Sequence, residues 1–128
     1  MVESPSASGV DQELVARLCV EYWKLVRASQ RAAQQLPDKD GKRLAAQVKF
    51  SDLQLTTISG QLGLNLVSFD GEQYSVGLSA SADNGEDFGQ DEDLVVAKTI
   101  EPAVVRDMKV VHKGRVLVAR RSDEEQEE

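Results

Sequence analysis

The stretch that decides the fold is Leu94-Val95-Val96-Ala97-Lys98-Thr99-Ile100-Glu101-Pro102-Ala103-Val104-Val105-Arg106-Asp107-Met108-Lys109-Val110-Val111-His112-Lys113-Gly114-Arg115-Val116-Leu117-Val118-Ala119. Valine dominates it, and β-branched side chains sit best on a pleated, half-buried surface. Pro102 and Gly114 punctuate it as turn residues do. The pattern predicts three short strands folded on one another and closing a small β domain. Nothing in the stretch has the makings of a catalytic centre, so its use is to be presented and touched.

Upstream, Leu64 to Phe69 alternates like a strand, Asp70-Gly71 is a hairpin signal, and Tyr74 to Ala80 supplies the next strand. Ala82 to Asp93 reads as a loop dominated by Asp, Glu, Gly and Asn. Further back the texture is helical. Val15, Leu18, Tyr22, Leu25, Ser29, Ala32 and Leu36 follow alternating spacings of three and four, a heptad stripe. Leu14, Cys19, Val26 and Ala33 widen it, which suits a bundle better than a lone coiled coil. A first helix is predicted from Val10 to Leu36, with Asp11 as its N-cap. Pro37-Asp38-Lys39-Asp40-Gly41 stops it, and a second helix runs from about Lys42 to Gly60. Leu44, Val48, Leu55, Ile58 and Leu62 form its matching stripe, while Phe50 and Leu53 fall outside and need another surface. Gly60 and Gly63 are the candidates for its C-cap.

The fold class expected is therefore α+β. An N-terminal antiparallel helix hairpin spans 10–62, and a small all-β domain spans 63–120. A two-helix hairpin leaves apolar surface bare, so two copies are expected to pair into a four-helix bundle through Val15, Leu18, Tyr22, Leu25 and Ala32. Residues 1–9 and 121–128 are too small, polar or acidic to bury and are expected to be disordered tails.

Composition narrows the function. A net charge of −7, from 22 acidic against 15 basic residues, argues against nucleic acid and anionic membrane as partners. No apolar run reaches the length of a membrane span, and residues 1–6 lack the pattern of a signal peptide. With Cys19 as the one cysteine, no internal disulfide forms, which fits the cytoplasm. His112 is the only histidine and has no second metal ligand or base nearby in sequence, so it reads as a turn or contact residue. The acidic loop fails the calcium-loop spacing, because Glu92 stands where glycine is needed. Trp23 reads as bundle packing or as an exposed anchor; Arg27 and Arg31 form a basic spot near the end of the first helix. No phosphate loop or paired-carboxylate site stands out, and the chemistry points to binding, with no enzyme activity, metal or cofactor.

The order of elements, together with several motifs, resembles GrpE, the nucleotide exchange factors of DnaK-type chaperones. Val20-Glu21-Tyr22-Trp23-Lys24-Leu25-Val26-Arg27-Ala28-Ser29-Gln30-Arg31-Ala32 resembles the GrpE helix that ends in a leucine–aspartate–arginine–alanine pattern. Gln61-Leu62-Gly63-Leu64-Asn65-Leu66-Val67 resembles the phenylalanine–glycine–valine lead into the β domain, and Ser68-Phe69-Asp70 its phenylalanine–aspartate–proline signature. Val95 to Ala119 lies without gaps on the last GrpE strands; the resemblance covers residues 14–119. The chain departs from the pattern at Gln47, Ala103-Val104 and His112-Lys113-Gly114, and only residues 1–9 stand where GrpE proteins have a long stalk helix. The resemblance implies a homodimer whose β domain docks on the ATPase domain of a DnaK-type chaperone and opens the nucleotide cleft. It implies partner contacts at Arg31, Lys109 and Val118, the first two meeting acidic groups and the third supplying apolar surface. The alternative is a dimeric adaptor with the same fold and a different partner.

Overall fold

The structure, a computed structural model, describes residues 7–122. Of the tails expected at 1–9 and 121–128, residues 1–6 and 123–128 lie outside the described residues, while residues 7–9 and 121–122 are helical. The chain divides after Leu66 into two compact units, helical and then β.

The first unit is a helix hairpin. Helix α1 spans Ala7–Gln35 and α2 spans Asp38–Gln61. Thus α1 begins before the expected Val10, and Asp11 lies within it rather than capping it. Helix α2 begins before the expected Lys42, because Asp38-Lys39-Asp40-Gly41 is its first turn and not a linker. Carboxylates at Asp38 and Asp40 favour that placement, since the helix N-terminus carries partial positive charge. Only Leu36 and Pro37 remain as the connection, short enough to force antiparallel neighbours. At the far end α2 closes with a Schellman motif: Leu64 N–H donates to Ser59 O at 2.8 Å and Gly63 N–H to Gly60 O at 3.0 Å. Gly63 takes the left-handed conformation this requires, at φ 76°.

The seam between the helices is not the heptad stripe. Its buried residues are Ala16, Cys19, Val20, Trp23, Val26 and Ala33 on α1, and Gly41, Val48, Leu55 and Ser59 on α2. It mixes Trp23, Leu55 and valines with small residues, and at Gly41 the backbone of Ala33 comes close enough to leave no room for a Cβ. Tyr22 flanks the seam and donates its hydroxyl to Ser51 O at 2.8 Å. Trp23 is packing: it is buried, with the Arg27 guanidinium stacked 4.5 Å above its ring and 3.4 Å from Asp52. Burial pushes the Cys19 thiol up, leaving it a small inert hydrophobe.

Strand β1 (Asn65–Val67) runs across the division, and β2 (Ala80–Ala82), β3 (Leu94–Glu101), β4 (Ala103–Arg106), β5 (Lys109–His112) and β6 (Gly114–Arg120) lie in the second unit. They form two three-stranded sheets, in the orders β1-β4-β5 and β2-β6-β3. The valine-rich stretch thus holds four strands rather than three, because a turn at Asp107-Met108 divides β4 from β5. Strand β6 pairs antiparallel with β3 and parallel with β2. Alternate residues of β6 point inward, and Val116 and Val118 join Phe69, Ala80, Leu94, Val96 and Ala103 in the core.

The expected hairpin across Asp70-Gly71 does not form. Its second arm is replaced by a turn-rich segment, and the chain after Phe69 binds β3 instead. Thr99 organises this exchange: Phe69 N–H donates to Thr99 Oγ1 at 2.9 Å, and Thr99 N–H to Asp70 Oδ1 at 2.7 Å. Gly71 N–H then reaches Val96 O, and Tyr74 N–H reaches Leu94 O. A second side chain acts as a strand: Asn84 Nδ2 donates to Val118 O while its Oδ1 accepts from Val118 N–H, both at 2.9 Å.

Candidate partner interface

Strands β4 and β5 form an antiparallel hairpin with Val104 opposite His112, Val105 opposite Val110, and Arg106 opposite Lys109. Its root is fixed in the core, where Pro102, Ala103 and Val104 are fully buried. Its apex is solvent. Asp107 and Met108 both have positive φ, at 51° and 65°, the combination a I′ turn requires. Met108 is 95% exposed and Val110 is half-exposed. From Arg106 to Lys113 the hairpin carries three cations (Arg106, Lys109, Lys113) against one carboxylate, Asp107. That local positive balance stands out in a chain of net charge −7.

A charged chain at the side of the hairpin ties it down. Glu101 is buried at the end of β3; its Oε1 lies 3.2 Å from His112 Nε2 and its Oε2 3.3 Å from an Arg115 nitrogen. Arg115, directly opposite Glu101 in the β3–β6 pairing, also grips Asp83 through two nitrogens. His112 thus serves as a contact that links the hairpin to the other sheet. The sequence does not show this chain, because its members lie between 11 and 32 residues apart.

The acidic loop is held by cations from β6 and the residue after it. Arg120 bonds Glu92 and stacks 5.1 Å from the Phe88 ring, and Arg121 bonds Asp93 at 3.0 Å. The Arg115 bond holds the Asp83 carboxyl below its ordinary range, and the Gly89 N–H followed by Arg120 does the same for Glu92. Both groups therefore stabilise the folded loop above the unfolded carboxylate range, near pH 4, and lose that contribution as pH falls through their depressed values. We expect the amides of Gly89 and Val118 to lose exchange protection below about pH 4, ahead of β4 and β5. Unchanged protection down to pH 3 would contradict this coupling.

The contact residues that the resemblance implies fare differently. Arg31 is exposed on α1, while its neighbour Arg27 is engaged with Trp23 and Asp52. Lys109 is exposed beside the hairpin apex. Val118 is not a surface residue: it is 3% exposed, with its side chain in the core. Inward alternation along β6 decides this, and the apolar contact expected of Val118 is withdrawn. Of the residues expected to pair two copies, Leu18 and Leu25 are 68% and 67% exposed, Ala32 is exposed, and Val15 and Tyr22 are half-buried. Phe50 and Leu53, outside the α2 stripe, are likewise exposed.

Among the described residues no three His, Cys, Asp or Glu side chains gather as a metal site, and no helix is long and apolar enough to cross a membrane. Comparison with protein-family models, curated proteins and solved structures found no match.

Proposed function

We propose that the chain is a GrpE-like co-chaperone that binds the ATPase domain of a DnaK-type chaperone and promotes release of ADP. The observation that carries this reading is the pairing of two features in one short chain. A helix hairpin leaves large apolar side chains exposed, Leu18 and Leu25 on α1 and Phe50 and Leu53 on α2, and a β unit follows with a cationic apex at Arg106 and Lys109. The first suits self-association into a four-helix bundle, because large apolar side chains left in water gain most from a second copy. The second suits an acidic partner surface. Exchange needs no covalent step: a partner that binds the open cleft more tightly than the closed one weakens nucleotide binding by the same factor. Arg31 and Lys109 are the charged contacts in this scheme. The burial of Val118 removes one of the three positions that tie the chain to such docking. That favours, as the second reading, a dimeric adaptor with a different partner.

Stopped-flow release of a fluorescent ADP from the Hsp70-like ATPases of the same organism separates the two. The co-chaperone reading expects acceleration. It expects Arg31→Glu and Lys109→Glu each to weaken complex formation by about tenfold with the dimer intact. Leu25→Asp should give a monomer in sedimentation. No acceleration with any such ATPase would retire exchange activity.

A further inference from the structure

The apex of the β4–β5 hairpin departs from what stability alone selects. Positive φ at both central residues favours Asn-Gly or Asp-Gly, because glycine has no Cβ to clash. Here the second position is Met108, held at φ 65° with 95% of its surface in water. A long apolar side chain at that place strains the turn and contributes no packing to its own fold. Strain kept at an exposed site points to use by something outside it. Methionine suits such use, being unbranched and polarisable, and it fills irregular pockets. Val110 extends the apolar strip, and Arg106 and Lys109 stand opposite each other on either side of the turn.

We propose that this apex is the anchor of the docking surface, with Met108 entering an apolar pocket on the partner whose rim carries carboxylates that Arg106 and Lys109 meet. The proposal rests on the co-chaperone reading and takes the ATPase domain of the DnaK-type chaperone as the partner. The root buried at Pro102–Val104 and the tether from His112 to Glu101 hold the apex rigid, which reduces the ordering lost on binding.

The test uses the full chain and that ATPase domain, reading affinity by calorimetry and the melting temperature of the free chain in parallel. Met108→Gly relieves the turn and removes the anchor. It should raise the melting temperature yet weaken binding by at least about tenfold, the size expected of a buried anchor. Met108→Leu, which keeps an apolar side chain, should hold affinity within about threefold. The opposed signs separate an anchor from a residue that merely supports the fold. Wild-type affinity in Met108→Gly, when the wild type itself binds, overturns the anchor and leaves the co-chaperone reading standing. If the wild type binds no such ATPase domain, the co-chaperone reading falls and the anchor loses its partner with it.

Discussion

Phe69→Ala should strip the β unit of a large share of its net stability. Phe69 is 4% exposed and is the one aromatic among the fully buried members of a core otherwise made of Ala80, Leu94, Val96, Ala103, Val116 and Val118. Truncating a buried phenylalanine costs about 3–5 kcal/mol, and the cost is highest where the surroundings cannot collapse into the space. Strands fixed by backbone pairing on both sides of the cavity leave little room to collapse. A unit of roughly 60 residues has only about 3–9 kcal/mol of net stability to lose, at the per-residue range of globular proteins. Amide exchange of β3 and β6 reads the effect directly, because these strands carry the most extensive pairing in the unit. Phe69→Leu should lose about 1 kcal/mol. Full protection of β3 and β6 in Phe69→Ala would show that the core is not organised around this ring.

The second large effect has a sign that helix propensity gets wrong. Gly→Ala inside a helix ordinarily gains about 1 kcal/mol. At Gly41 a Cβ would lie 2.7 Å from the backbone oxygen of Ala33 and 3.3 Å from that of Leu36. These oxygens, one in the last turn of α1 and one in the connection after it, belong to main chain, so neither can rotate away. The helices must part there, and Gly41→Ala should cost about 2 kcal/mol in net stability, typical of an overfilled core. Urea midpoints at one fixed protein concentration measure it, since self-association would otherwise move the apparent stability. A raised midpoint would mean that the close approach is not maintained.

Helix, strand and order of units were legible in the sequence because each rests on local pattern. Heptad spacing marked α1, valine runs marked the β unit, and Gly60 and Gly63 were the two candidates for the end of α2, of which Gly63 takes the left-handed position. The choice of face was not legible. The stripe centres on Leu18 and Leu25, yet the hairpin closes on its flank at Cys19, Val26 and Ala33 and on Ala16, Val20 and Trp23 beyond it. Spacing records that an apolar face exists; it does not say which of two faces is used first. The turn at Asp107-Met108 was missed because methionine is not a turn residue. The Asp70-Gly71 hairpin was wrongly expected because Thr99, 29 residues away from Asp70, redirects the chain. Val118 was misplaced because the resemblance supplied a position without its side: the inward alternation of β6 sends the side chain into the core. The ion chain from Asp83 through Arg115 and Glu101 to His112 depends on pairing register, which single residues do not encode.

The twofold bond between the Asn84 amide and the Val118 backbone bears on how the β2-β6-β3 sheet ends on one side. Strand β6 is central in its sheet, but β2 covers it only from Gly114 to Val116. Beyond that point its backbone would present a free donor and acceptor, the template on which a foreign strand adds and a fibril grows. Asn84 fills both places with one side chain. A single amide thus takes the place of a strand neighbour at Val118 and leaves neither of its backbone groups open to a foreign strand.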